Sequence, residues 1–358
     1  MTSDTPGDSR SVESLNSIKI HMKIITKTFL LLLLSSTISS KICSQAGSKF
    51  HVIKSLPIGG AGGWDYLAMD PAGKRLYISH GTQVNIIDKN SGDSLGVIPN
   101  TTGVHGIAFI PSENKGYTSN GRLNNITVFE LSTGNVLSQI ATGENPDAIL
   151  YEPFSKTIIT CNGRSKNLSV IDPVANAVIS TIDVGGKPET AVSNGAGKLF
   201  VNIEDKNEIV EVDMIKREVT GHWSLDGAEG PTGLCIDNKT HRLFAGCDKQ
   251  LVVINADNGK VVSKLPIGDG CDGVAFDNST QTIFTSNGEG TMTVIKEQSA
   301  DKYKIEDNVV TKKGGRTITI DEATHTLYIP TASFGTPEAE GKRPPVIPGT
   351  FMVMVISK

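Results

Sequence analysis

Sustained helical periodicity is missing from the chain beyond residue 46, which excludes a helical bundle. Cysteine pairs of the CxxC or CxxCH kind are missing too, so zinc held by such pairs, a haem thioether site and a thioredoxin-like centre have no support. No GxSxG elbow, Gly-rich phosphate loop or HExxH stands in a suitable context. Positive charge is not in excess: 34 Lys and Arg face 38 Asp and Glu, a formal net charge of −4. That argues against a dominant nucleic-acid surface. Beyond the amino terminus no apolar run is long enough to span a bilayer, so the mature chain is expected to be soluble.

The amino terminus reads as a targeting segment. Lys23 and Lys27 precede the apolar run Phe29-Leu30-Leu31-Leu32-Leu33-Leu34. Small residues at Ser44 and Ala46 suit signal peptidase, which places cleavage after Ala46 and the protein in the periplasm or outside the cell. The apolar run is too short for a membrane anchor. Cys43 follows Ile42, not the small residue of a lipoprotein site. Met22 offers an alternative start. The expected division is an extension and signal peptide over 1–46 and one globular domain over 47–358.

Glycine is abundant, at 37 residues, and recurs at turn-like positions. The dominant signal is internal repetition. Asp65, His105, Asp147, Glu189, Thr232, Asp272 and Arg316 mark equivalent points 40 to 44 residues apart, the length of one four-stranded propeller blade. Each repeat opens with a short apolar strand such as Gly106-Ile107-Ala108-Phe109. A turn such as Asp70-Pro71-Ala72-Gly73 follows, then strands such as Leu76-Tyr77-Ile78 and Leu168-Ser169-Val170-Ile171-Asp172. The last repeat lacks a fourth strand. The segment Val52-Ile53-Lys54-Ser55-Leu56-Pro57-Ile58-Gly59 mimics Val261-Val262-Ser263-Lys264-Leu265-Pro266-Ile267-Gly268, a fourth strand elsewhere. It therefore completes the last blade and closes the ring. The expected fold is an all-β, seven-bladed propeller of antiparallel blades.

This blade pattern resembles the YVTN β-propeller repeats, including the exported YncE-like proteins. The resemblance covers residues 49–358 and includes the ending Arg343-Pro344-Pro345-Val346-Ile347-Pro348-Gly349-Thr350-Phe351. The literal tetrad is replaced by variants such as Tyr117-Thr118-Ser119-Asn120 and Phe284-Thr285-Ser286-Asn287. The resemblance implies export and a ligand- or partner-binding role, with single-stranded DNA binding in some members.

Topology gathers candidate residues at one mouth of the ring. From the starts of the innermost strands come Trp64, Asp65, His105, Asp147, Glu189, Thr232, Asp272 and Arg316. From the loops between second and third strands come His80, Asn120, Asn162, Asn202, Cys247, Asp248 and Asn287. The carboxylates can meet a hard cation, a cationic or sugar-like ligand, or simply cap backbone amides. No cofactor is expected. A divalent cation is the open alternative, with Asp65, His80 and His105 as its ligands. Trp64 offers either a stacking platform or core packing. Trp223 reads as structural, and His51, His222, His241 and His325 as surface residues. Cys247 and Cys271 are candidates for a bridge, with free thiols preferred; Cys161 maps to the same face, and Cys235 to an inner strand. The long last-blade loop between Pro330 and Phe351 is expected over or beside the mouth, with Lys342 and Arg343 adding positive charge.

The expected function is a non-catalytic, monomeric binding scaffold for a small ligand or macromolecular partner. The alternatives are a lactonase-like hydrolase using Asp, Glu and His, and single-stranded DNA binding through Trp64, Arg122, Arg164 and Arg316. A hydrolase needs a carboxylate and a histidine within hydrogen-bond reach. Nucleic-acid binding needs a positive track.

Overall fold

The computed structural model describes residues 1–3, 50–337 and 344–358. The targeting segment, Cys43, the cleavage point after Ala46, Lys342 and Arg343 lie outside the described residues. Ser48–Lys358 forms one compact unit.

Among the described residues, seven four-stranded antiparallel sheets are arranged as blades. Blade 1 starts at Trp64–Met69, blade 2 at Val104–Ile110, blade 3 at Pro146–Glu152 and blade 4 at Pro188–Ser193. Blade 5 starts at Leu234–Asp237, blade 6 at Cys271–Asp277 and blade 7 at Thr319–Asp321. The described residues contain two single-turn 3-10 helices, Pro111–Glu113 and Glu204–Lys206, and no α-helix.

Burial follows position in the blade. Second strands such as Thr157–Asn162 and Thr282–Asn287 are buried at every residue, because a neighbouring blade covers each face. The outer strand Glu218–Ser224 alternates exposed and half-buried residues, the mark of one solvated face. Seven apolar clusters account for most of the buried hydrophobic residues, one at each blade junction. At the junction of blades 3 and 4, for instance, Ile159, Leu168 and Val170 pack on Leu199, Val201 and Val210. Each such side chain contributes about 1.5–3 kcal/mol on burial.

The ring closes at two radii. At the rim, His51–Pro57 pairs antiparallel with Met352–Ser357 as the fourth strand of blade 7. It also packs sideways in both directions. Leu56 joins the core between blades 7 and 1, and Phe50 meets Phe284 of blade 6 edge-on at 5.2 Å. Near the axis, Thr317 Oγ1 donates to the Asp65 carbonyl at 2.5 Å, and Arg316 Nη2 donates to the Trp64 carbonyl at 3.2 Å.

The innermost strands share one irregularity. Pairing with the second strand is interrupted between Trp64 and Leu67, Val104 and Ile107, Pro146 and Ile149, Pro188 and Ala191, and Cys271 and Gly273. Asp65, His105, Asp147, Glu189 and Asp272 all sit inside these interruptions. A bulge frees a residue from the ladder and turns its side chain. The same distortion, repeated blade by blade, places these five polar residues around the mouth.

Candidate functional site

Asp65, His105 and Asp147 come from three consecutive blades and meet. His105 Nδ1 donates to Asp65 Oδ2 at 2.6 Å and lies 3.7 Å from Asp147 Oδ1. One donor atom from each side chain lies within 4.8 Å of the others, so these three residues can hold a metal ion. The other imidazole edge packs against Gly121, where an added methyl would stand 2.8 Å from Nε2. The carboxylate–histidine pair that a hydrolase needs is within hydrogen-bond reach.

Burial works against charge on His105, but the hydrogen bond to Asp65 and the charges of Asp147 and Glu189 overcome it and carry the imidazole pKa up to about 9. Burial and the Asp65 charge push the Asp147 carboxyl well above the usual range, with His105 and Lys187 opposing. Asp147 is 7% exposed, and its Oδ1 is buried with no hydrogen-bond partner.

The rest of the ring divides into separate pairs. Arg316 Nη1 lies 3.3 Å from Asp272 Oδ2, and Nη2 lies 4.0 Å from Asp65 Oδ1. Burial lifts the Asp272 pKa to about 6 against the pull of Arg316. Lys187 stands 3.1 Å from Glu189 and also pairs with Glu204. Burial and Asp147 raise the Glu189 carboxyl, opposed by Lys187. Tyr66 was not legible as a mouth residue. Its hydroxyl reaches from blade 1 to within 3.2 Å of Thr190 Oγ1 in blade 4. It thus crosses the axis.

Several sequence candidates are turned away from the mouth. His80 does not join Asp65 and His105; Asp147 takes the third place. The His80 Nδ1 bonds Asn85 Oδ1 at 3.1 Å and its ring packs on Phe351 at 4.6 Å, with burial lowering its pKa. Trp64 is buried rather than an open platform, with one face stacked on Phe351 at 5.1 Å. Asn120, Asn162 and Asn287 are fully buried inside their blades. Each accepts from the threonine two residues earlier, Thr118, Thr160 or Thr285. Each donates across to the third strand, to Thr127, Ser169 or Thr293. Buried amides must be satisfied, and here the blade satisfies them. Asn202 likewise donates to the carbonyls of Thr232 and Gly233. Thr232 Oγ1 donates to the Cys271 carbonyl at 2.7 Å. The four described cysteines are unbridged, and burial raises each thiol.

Beside the ring lies a cavity of about 750 Å³ between blades 6, 7 and 1. Trp64, Phe334, Pro344 and Val346 form its apolar walls, and Asp272, Lys313 and Arg316 its polar groups. The long last-blade loop supplies three of the four apolar residues. Its ends are held by the Phe334–Val346 bridge and by Trp64 against Phe334 at 6.1 Å. Loop length announced an element here; the aromatic lining was not legible, because Phe334 carries no repeat position.

No family model and no curated protein sequence matches the chain. Among solved structures, hydrazine synthase from Kuenenia stuttgartiensis superposes with a TM-score of 0.66 at 16% identity, covering 80% of this chain and 95% of that one. The WD40 repeats of RRP9 superpose with a TM-score of 0.71 at 10% identity, covering 85% of this chain and 97% of that one. At such identities the likeness is one of fold.

Proposed function

We propose that this chain is an exported, non-catalytic propeller of the YVTN type that binds a small amphipathic carboxylate in the cavity between blades 6, 7 and 1. The observation that carries the reading is the cavity's composition. Its volume suits a small molecule. Trp64 and Phe334 present aromatic surface to an apolar body, while Lys313 and Arg316 outnumber Asp272 and favour an anionic head. Arg316 is held at both ends, by Asp272 and by the Trp64 carbonyl, so little side-chain freedom is lost on binding. The stacked, buried indole of Trp64 argues against base stacking on an open platform.

Trp64 also reports on the site. In a Trp223→Phe background its fluorescence is the remaining indole signal. Titration with phenylacetate is expected to give a saturable change, weakened at least tenfold by Lys313→Gln. Phenethylamine, of similar shape and opposite charge, is expected to give none. A folded protein that ignores phenylacetate, or prefers the amine, overturns the proposal. Amino-terminal sequencing of the secreted product tests the export half, with Gly47 as the expected first residue.

A further inference from the structure

We infer that Asp65, His105 and Asp147 bind one divalent transition-metal ion at the mouth. The inference deepens the reading of this mouth as a binding site, but it uses different side chains from the neighbouring cavity.

The geometry supplies three donors of the right kinds, one atom each from Asp65, His105 and Asp147, all within 4.8 Å of one another. Three donors from consecutive blades converge because a strand irregularity frees each one from its ladder. An acidic cluster alone would not make a site. Here a second observation points the same way: Asp147 is nine-tenths buried, and its Oδ1, the atom nearest His105, has no hydrogen-bond partner. A buried carboxylate oxygen left unpaired is costly unless something binds it. A dication coordinated there satisfies that oxygen and balances the two carboxylates, with the imidazole neutral.

The neighbouring charges are already paired. Asp65 Oδ1 faces Arg316, which leaves Oδ2 as the oxygen turned to His105. Glu189 is held by Lys187 and stays outside the donor set. Asp272 is held by Arg316. The donor set is therefore two oxygens and one imidazole nitrogen. Calcium, magnesium and manganese prefer oxygen, whereas imidazole suits zinc, copper, iron and nickel. His105 and Asp65 keep part of their surface open, with side chains 27% and 14% exposed, so solvent or a ligand can complete the coordination.

The test uses the full mature protein stripped with chelator and titrated with cobalt(II) as a spectroscopic probe for zinc. The expected result is one equivalent bound, with a visible ligand-field band, displaced by zinc and not by a hundredfold excess of calcium. His105→Gln and Asp147→Asn are each expected to weaken cobalt binding at least a hundredfold. Lys313→Gln is expected to leave it unchanged while weakening phenylacetate, so the two sites fail separately. If phenylacetate binds and cobalt does not, the metal site is wrong and the cavity stands; if cobalt binds and phenylacetate does not, the reverse holds. Absent stoichiometric binding by folded wild-type protein, competition by calcium, or equal binding by both folded variants each overturns the inference. The wild-type spectrum and the calcium competition decide the matter even if a variant fails to fold.

Discussion

At the scale of single residues, the chain keeps polar groups inside its blades where the repeat supplies partners, and Glu297 marks a place where that supply falls short. Glu297 is 1% exposed in blade 6. Its Oε1 accepts from Thr240 at 2.9 Å and from Tyr303 at 3.4 Å, while Oε2 has no partner. Burial pushes its pKa up to about 7; Thr240 opposes this and the Asp237 charge adds to it. A carboxyl whose folded pKa is raised holds its proton more tightly when folded. Stability is therefore undiminished below the unfolded value and falls as pH climbs from about 4.5 to about 7. Glu297→Gln removes that loss. Denaturant unfolding at pH 8 is expected to show a gain on the order of 2 kcal/mol, and at pH 4.5 almost none. An equal gain at both values would assign the effect to packing instead.

At the scale of elements, the closing strand is held by a ladder and by two cores, and each can be tested. Removing residues 50–57 strips Leu56 and Phe50 from their junctions and leaves Met352–Ser357 as a bare edge. Such an edge pairs with whatever strand it meets. The truncated protein is expected to elute as dimers and larger species in size-exclusion chromatography, and a synthetic peptide spanning residues 50–58 is expected to restore the wild-type elution. The identity of this strand was legible because its sequence copies a fourth strand elsewhere in the chain. Blade length and residue type likewise put Asp65, His105 and Asp147 at one mouth. Side-chain direction was not legible. Repeat spacing gave His80 and Asn162 the same standing as Asp147, yet His80 faces Phe351 and Asn162 faces its own blade. The bulges that turn Asp147 inward depend on φ and ψ rather than on residue type, and Tyr66 crosses the axis because of one of them. The cavity beside blade 7 depends on how a loop with no repeat partner folds over Trp64.

At the scale of the whole molecule, each blade rests on two neighbours, so a breach at one junction costs the ring its continuity rather than one local contact. His51 pairs with Ser357 across the seam. Replacing both, His51→Cys with Ser357→Cys, places a disulfide across directly opposed residues. Oxidised protein is expected to gain about 5 kcal/mol relative to the reduced form, because a loop of roughly 300 residues is closed in the unfolded chain. Comparing unfolding midpoints with and without reductant checks this; a gain below about 1 kcal/mol would mean that the seam is not where the ring opens. The seam also carries a consequence for biogenesis. The first strand of the propeller finds its mate only in the propeller's last strand, so six sheets can form while the seventh waits. Until Met352–Ser357 is made, the propeller is an unbuckled belt with two raw edges, and that strand acts as the clasp.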